Sequence, residues 1–400
     1  MTLPSAEDVR KGHGRLAYQE ALSLISLPDN VADDGSVVRC FMSQRRVWIT
    51  GEALTPLAIE HGISNYKPTT GVYGGHVYSQ ASLAVSLAFR AGQKAANNGK
   101  QDKKLGIHTI HGFFSEGGAD DRPFIYRVTN LASNAMFPNF LVTASQPTSP
   151  STNPEGDHYL RADADLPLGP VRFSAIVSFR PSGFSQVHAQ ELAPQVRFAE
   201  ILSSRRPIEW DPAPITDVNG ILAAIPGARQ AVGLFPGLEM RKVDMRAYNA
   251  NRPLHERRDL VLYRLLAPLP ATYSANGAGE GGECAIDGPD AHICAHAYAA
   301  DRNGLLMIGN HVGFGRDFAR AASLSYSLVV HVNAEDAVMA YAEDDRQWWV
   351  QEHCFPRVEA GRGIVHCKIW SPEGVHVATE YQDGIIRRKP RAGDKEKGKL

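Results

Sequence analysis

The 400-residue chain has few cysteines, no long apolar segment and almost no net charge. Its five cysteines (Cys40, Cys284, Cys294, Cys354 and Cys367) are too scattered for a disulfide framework, and none forms the Cys-x-x-Cys pair of a zinc site. No apolar run approaches the ~20 residues that cross a bilayer. The sequence therefore predicts reduced thiols and no membrane span. Because 42 basic residues balance 43 acidic ones, it also predicts no nucleic-acid partner.

Several catalytic signatures are also missing. The chain has no Gly-x-Ser-x-Gly elbow and no Walker phosphate loop, which argues against an α/β-hydrolase and a nucleoside triphosphatase. Residues 277–282 satisfy Gly-x-Gly-x-x-Gly but continue into further turn residues instead of a helix, so we interpret them as a flexible loop. His292 and His296 stand four residues apart around Cys294, yet the spacing indicates no third ligand. We therefore expect no metal and no cofactor.

The two ends of the sequence bear on the expected subcellular location. Residues 1–8 lack the basic start and apolar core of a secretory signal. The last three residues, Gly398, Lys399 and Leu400, approach the Ser-Lys-Leu peroxisomal address but have glycine in place of serine. The expected location is cytoplasmic, or peroxisomal if this tripeptide acts as an address.

Hydrophobic periodicity predicts a helix followed by four strands, and then a second copy of the same plan. Apolar residues at helical spacing (Val77, Ala81, Ala84, Val85, Ala88) predict a helix from Gly74 to Gly92. Strand-like runs follow at 107–114, 124–129, 140–145 and 171–179. The second copy has strands at 239–243 and 260–265, a helix at 291–301, and strands at 323–331, 348–353, 363–370 and 375–382. The pattern indicates a duplicated α+β fold.

This pattern also divides the chain. We expect a first domain over residues 1–185, with a long surface loop at 146–170 and an edge element, including strand-like 47–49, near its start. Proline-rich residues 186–238 are expected to form a connector over the surface. A second domain should occupy 239–390, followed by a basic tail at 391–400.

Seven short motifs occur in order along the chain. They lie at or in the two predicted helices and in several strands. They are Tyr-Gly-Gly-His-Val at 73–77, His-Thr-Ile-His-Gly-Phe-Phe at 108–114, Pro-Phe-Ile-Tyr at 123–126, the alanine-rich 292–301, Ala-Ser-Leu at 322–324, Gly-Arg-Gly at 361–363 and Val-Ala-Thr-Glu-Tyr-Gln-Asp-Gly at 377–384. Together, over about residues 65 to 390, they resemble the acyl-CoA thioesterase II (TesB-like) family, whose first motif reads Phe-Gly-Gly-Gln-Val.

The resemblance implies a double hotdog, in which two antiparallel sheets each wrap around a central helix within one chain. It implies thioester hydrolysis by a water molecule, with the acid at Asp301, the hydroxyl at Ser323 and the amide at Gln382 as catalytic residues. Gly74, Gly75 and His111 fall in the motifs that we assign to substrate binding. An ionised carboxylate can accept the proton of water, while the hydroxyl and the amide can orient it. Backbone N–H groups at Gly74 and Gly75 are candidate donors to the oxyanion.

The chain departs from the family pattern at several positions. Serine replaces threonine at Ser323, and Ser325 and Tyr326 replace an Asp-His pair. Phe140 and Leu141 replace two arginines. The loops 146–170 and 271–290 are expected to reshape the acyl pocket, which favours a bulky or polyketide-like acyl group over an ordinary fatty acyl group.

Three functions are therefore open. The leading one is hydrolysis of a fatty or specialised acyl-CoA to the free acid and coenzyme A. The second is a non-catalytic or carrier-dependent acyl-thioester binding protein, with an acyl thioester on a carrier protein as the partner. The third is a hotdog enoyl-thioester hydratase or dehydratase, which needs an Asp-His pair that neither helix start provides. Because a double hotdog contains its own sheet pairing, the chain is expected to be a monomer or a homo-oligomer.

Overall fold

The computed structural model describes residues 15–63, 71–97, 104–132, 134, 136–154, 156, 158–213, 225, 228, 234–274, 282–302, 304–313, 318–342 and 347–389. The strands of this part are β1 (Leu24–Ser26), β2 (Asn30–Val31), β3 (Val37–Ser43), β4 (Leu105–Phe114), β5 (Ile125–Ala132), β6 (Asn139–Pro147), β7 (Leu168–Pro181), β8 (Asp211–Pro212), β9 (Leu238–Lys242), β10 (Asp259–Leu265), β11 (Phe318–Val330), β12 (Trp349–Glu359), β13 (Arg362–Trp370) and β14 (His376–Arg388).

The α-helices of the described residues are α1 (Tyr18–Ala21), α2 (Thr55–Glu60), α3 (Gly74–Asn97), α4 (Pro194–Arg197), α5 (Ala199–Ser203), α6 (Arg246–Asn249), α7 (Gly288–Ala300) and α8 (Gly304–His311). Short 3₁₀ turns occupy Glu52–Leu54, Arg161–Asp165, Pro207–Glu209, Leu254–Glu256 and Ala334–Ala337. The two predicted helices and the ten predicted strands, four in the first half and six in the second, are thereby confirmed, with ends that differ by a few residues.

All the strands belong to one antiparallel sheet. Its order is β1-β3-β5-β6-β7-β4-β11-β14-β13-β12-β10-β9-β8, with β2 beside β3. The first half and the second half have the same internal order, and β4 pairs with β11 where they meet. The two hotdog sheets are therefore continuous, and the duplication predicted from the sequence is confirmed.

Helices α3 and α7 form the centre of the molecule. The predicted apolar positions of α3, from Val77 to Ala88, are all buried. Helix α7 is buried on nearly every side because alanine dominates it and the sheet wraps around it. Ser79 on α3 donates a hydrogen bond of 2.8 Å from Oγ to the Cys294 carbonyl on α7, so the two helices are in direct contact.

Four expectations need correction. Helix α3 continues through Gly92 to Asn97, because one glycine costs only about 1 kcal/mol in a helix interior and Gln93 and Lys94 favour helix. Residues 47–49 form no strand, although Val47 and Ile49 are buried in the alternation that a strand would give. An isolated bridge joins Ile49 to Val72, and β1 and β3 form that edge of the sheet.

The predicted surface connector, 186–238, lies partly in the core, since Phe198, Trp210 and Phe235 are buried. The predicted loop 146–170 is shorter, because β6 and β7 extend into it. Asp163 anchors it as a buried acceptor of a 2.6 Å hydrogen bond from Ser151 Oγ. Residues 277–281 and the tail 391–400 lie outside the described residues. No helix within the described ranges is long and apolar enough to span a membrane.

Candidate active site

Asp301 lies at the meeting point of the two central helices. It caps the C-terminus of α7, and its Oδ2 accepts a 2.5 Å hydrogen bond from the backbone N–H of Gly75 in the first turn of α3. Its other oxygen, Oδ1, accepts a 2.7 Å bond from Gln382 Nε2 on β14. The positive end of the α3 dipole and these donors favour the ionised carboxylate.

Ser323 and Gln382 join Asp301 from neighbouring strands. Gln382 Nε2 lies 2.9 Å from Ser323 Oγ, and Ser323 Oγ lies 3.4 Å from Asp301 Oδ1. Tyr326 is the fourth member, because its hydroxyl is 2.5 Å from Gln382 Nε2 and 2.9 Å from Ser323 Oγ. The structure therefore brings together the three residues predicted as catalytic and adds a tyrosine to them.

The amide of Gln382 has only one chemically sensible orientation. An ionised carboxylate accepts hydrogen bonds and cannot donate them, so the amide nitrogen must face Asp301. The amide oxygen, Oε1, is then directed away from Asp301, and it is buried without a hydrogen-bond partner. It lies against Gly304, where an added Cβ would be 2.2 Å from it. This oxygen is an unused acceptor beside the carboxylate.

The environment of Asp301 raises its pKa to about 6. Burial is the main cause, and it is offset by the Gly75 N–H, the Arg302 guanidinium, Ser323 and Gln382. Arg302 is itself buried at 4% exposure, and its guanidinium stacks 4.4 Å from the Trp48 ring and 4.8 Å from the Phe235 ring. A carboxyl with a pKa near 6 is ionised at neutral pH and still basic enough to accept a proton.

A second buried acid lies close by on β14. Glu380 is 1% exposed, and burial, followed by the Asp301 charge, raises its pKa well above the usual value. Its Oε1 has no hydrogen-bond partner. Burial and the nearby Asp301 charge therefore both favour the protonated form of Glu380.

Both predicted glycines face Asp301. An added Cβ would lie 3.2 Å from Asp301 Oδ2 at Gly74 and 2.9 Å from Asp301 Cβ at Gly75. Only glycine lets the first turn of α3 approach the carboxylate so closely. The Gly75 N–H, expected to be an oxyanion donor, instead donates to Asp301. The sequence could not show this, because the bond joins residues from the two halves of the chain.

The structure does not bring His111 to this site. His111 pairs across the sheet with Ser327 and forms a 3.0 Å hydrogen bond with its hydroxyl through Nδ1. Because Tyr326 faces the helices, its neighbour Ser327 and the partner His111 face the other side of the sheet. Sequence spacing identified the motif but not the face on which its histidine lies.

The two spaced histidines on α7 have structural partners. His296 bonds to the Tyr263 hydroxyl at 2.7 Å and to the Ala337 carbonyl at 2.8 Å, and His292 Nδ1 accepts a 3.1 Å bond from the Met339 N–H. Both pKa values are lowered, mainly by burial. Within the described ranges, no group of three or more His, Cys, Asp or Glu side chains is placed to hold a metal ion.

The departures from the family pattern fall largely outside the site. Phe140 packs into the core, 5.7 Å from the Phe89 ring and 5.9 Å from the Phe179 ring. Ser325 pairs with Asp383 and Phe113 on the face away from the helices. Tyr326 is the exception, since it occupies one of the altered positions and lies in the site. The sequence showed that residue 326 differs from the family pattern but not which residues the Tyr326 side chain contacts.

No protein-family model matches the chain, and no curated protein matches it. Among solved structures, the acyl-CoA thioesterase II TesB2 of Mycobacterium marinum is similar with a TM-score of 0.51 and 18% identity, over 94% of this chain and 100% of that one. A hot dog-fold protein of unknown function from Alicyclobacillus acidocaldarius is similar with a TM-score of 0.52 and 13% identity, over 93% and 98% of the two chains. The chain therefore has the double hotdog fold of TesB-type thioesterase II structures.

Proposed function

We propose that the chain is a thioester hydrolase in which Asp301 activates a water molecule. The observation that carries the proposal is the convergence of Asp301, Ser323 and Gln382 from a helix end and two strands within hydrogen-bonding distance of one another. Asp301 Oδ1 accepts one proton of the water, and Ser323 Oγ, which lies 3.4 Å from it, has a lone pair that can accept the other. Two acceptors fix the water so that its remaining lone pair points to the substrate.

The proposed reaction needs only these groups and water. Water attacks the thioester carbonyl carbon while Asp301 takes its proton, and the carbonyl oxygen becomes an oxyanion near the positive end of α3. When the tetrahedral intermediate collapses, the carbon–sulfur bond breaks. The thiolate then takes the proton from Asp301, which leaves the free acid, the thiol and the original carboxylate.

The surroundings of the site favour an apolar acyl group. The rings of Phe114 and Tyr326 lie 5.8 Å apart, and Phe114 is 4.7 Å from Phe173. An added Cβ at Gly74 would be 3.3 Å from Phe114, so this aromatic group borders the first turn of α3. We propose an acyl-CoA with a fatty or specialised, polyketide-like chain as the substrate.

The alternatives have less support. The substitutions that favoured a non-catalytic binding protein, at Ser325 and Phe140, lie on the far face of the sheet and in the core. For a hydratase, the carboxylate would need an imidazole partner; the hydrogen bonds described for Asp301 come from a backbone N–H, a hydroxyl and an amide.

Thiol release from acyl-CoAs of increasing length and branching tests the proposal. Asp301→Asn keeps the shape of the side chain but removes the base, so we expect turnover to fall by about 100-fold or more. Asp383→Asn is the matched control, because Asp383 neighbours Gln382 but pairs with outward-facing Ser325; its rate should stay within about twofold of wild type. A folded wild-type protein that binds acyl-CoA without releasing thiol would refute hydrolysis and select the binding function.

A further inference from the structure

A cavity lies at the opposite end of α3 and α7 from Asp301. Its volume is about 750 Å³, within the range of small-molecule sites. Apolar side chains from β3, α3, β4 and the segment before α7 form much of its wall: Phe41, Leu83, Leu87, Leu105 and Ile286. Ser86 and Arg90 on α3 line its inner end.

The duplication makes this cavity the counterpart of the active site. Strands β4 and β11 correspond, and each has a register shift at the matching place, between Ile107 and Thr109 in one and between Ser323 and Ser325 in the other. Ile107 therefore takes the place of Ser323. Ile110 on β4 pairs with Val177 on β7, as Tyr326 on β11 pairs with Gln382 on β14. Ile110 therefore corresponds to Tyr326, and Val177 corresponds to Gln382.

The helices repeat the same relation. The spacing from Gly75 to Ser86 on α3 equals the spacing from Asp290 to Asp301 on α7. Ser86 therefore corresponds to Asp301, and Gly75 corresponds to Asp290. Gly75 contacts Asp301 at one end, and Ser86 Oγ donates a 2.6 Å bond to Asp290 at the other. Asp290 also accepts from the Ile107 N–H at 2.8 Å and pairs with Arg90 at 2.9 Å. The Asp290 carboxylate, which takes the place of Gly75 in this repeat, is thus fully bonded within the protein.

The second position therefore lacks the hydrolytic groups, and its Ser86 borders the cavity. Ser86 takes the place of the base Asp301. Ile107 takes the place of the hydroxyl residue Ser323, and Val177 takes the place of the amide residue Gln382. We propose that this cavity binds a second acyl chain without hydrolysing it; the chemical class rests on the proposed function, because the cavity is the counterpart of that substrate site.

Charges around the cavity indicate which part of the ligand is recognised. Arg39 pairs with Asp29 at 3.3 Å, and Arg90 is neutralised by Asp290. These two cations are therefore compensated within the protein. Lys94 and Lys104 also line the cavity and can face an anionic head. Burial of the apolar chain supplies the affinity that a free acid and a thioester share. Free hexadecanoate and hexadecanoyl-CoA should both occupy the cavity.

The test counts bound chains in the Asp301→Asn background, where no substrate is consumed. Equilibrium dialysis with radiolabelled hexadecanoyl-CoA and, separately, hexadecanoate should give two molecules per chain. Adding Ala91→Trp should reduce each count to one, because Ala91 is exposed on α3 and lines the cavity. Glu200→Trp, on the exposed side of α5, is the control for an added tryptophan. In the wild-type background, Ala91→Trp should leave thiol release within about twofold.

The outcomes separate this inference from the proposed function. A count that falls from one to zero with Ala91→Trp would support the cavity and refute binding at the active site. A count that Ala91→Trp leaves unchanged would overturn the inference, as would no binding at all. Leu87→Trp fills the same cavity from a deeper position, and a folded Leu87→Trp variant must give the same result.

Discussion

The hydroxyl of Tyr326 lies 2.9 Å from Ser323 Oγ, although residues three apart on a regular strand face opposite sides of a sheet. A register shift between Ser323 and Ser325 explains the contact. The extra residue turns both side chains toward the helices, as bulges near active sites commonly do. Ser323 can reach Asp301 only because of this irregularity.

Tyr326→Phe tests whether the hydroxyl takes part in the reaction. Tyr326 is fully buried, so phenylalanine preserves its packing while Gln382 and Ser323 each lose a partner. We expect kcat to fall roughly fivefold, since one hydrogen bond contributes about 1 kcal/mol, with little change in KM. Tyr78→Phe is the control, because its ring lies 5.0 Å from that of Tyr326 but its hydroxyl bonds to the Ile110 carbonyl. Equal turnover in Tyr326→Phe and wild type would show that Tyr326 only packs.

Gly304→Ala tests the position of the Gln382 amide. The added Cβ would lie 2.2 Å from Gln382 Oε1, so the amide must rotate or shift and cannot orient water as before. We expect thiol release to fall at least about tenfold, since small displacements of a positioning group reduce rate strongly. Gly92→Ala is the control, because an added Cβ there meets nothing within 4 Å. A Gly304→Ala variant with full activity would mean that the amide position is unimportant.

The pH dependence of kcat/KM should report the ionisation of Asp301. Because its pKa is raised to about 6, activity should be constant above pH 7 and fall tenfold per pH unit well below 6. Arg302→Met removes the cation that favours the carboxylate, so the acid limb should move upward by roughly one unit. Glu380→Gln should leave the limb in place, because burial and the Asp301 charge already favour the neutral form of Glu380. A limb that ignores Arg302→Met would mean that another group controls the rate.

Much of the fold was predictable because periodicity is local. The apolar stripe from Val77 to Ala88 predicts α3 directly, and the family motifs placed Asp301, Ser323 and Gln382 correctly relative to one another. The bulge beside Ser323, the Gly75 bond to Asp301 and the outward direction of His111 were not predictable. Each depends on pairing between distant segments, which sequence spacing does not encode.

Buried histidines should make the protein sensitive to acid. Burial lowers the pKa of each of five imidazoles to about 3 or 4: His76, His292, His296, His353 and His376. These rings are neutral when folded but take up protons below pH 6.5 when unfolded. The stability they contribute is therefore complete above pH 6.5 and is lost as the pH falls, by up to about 1.4 kcal/mol per unit for each ring.

His76→Gln isolates one of these contributions. Asp301 and Glu380, whose pKa values are raised, act in the opposite direction, so the difference between variants is more informative than the total slope. Urea unfolding at pH 7.5, 6.0 and 5.0 should show that the free energy of unfolding of His76→Gln falls less steeply than that of wild type, by about 1.4 kcal/mol per unit below pH 6.5. His255→Gln is the control for the substitution itself, because this side chain is 63% exposed. Identical slopes for His76→Gln and wild type would show that His76 is protonated in the folded protein.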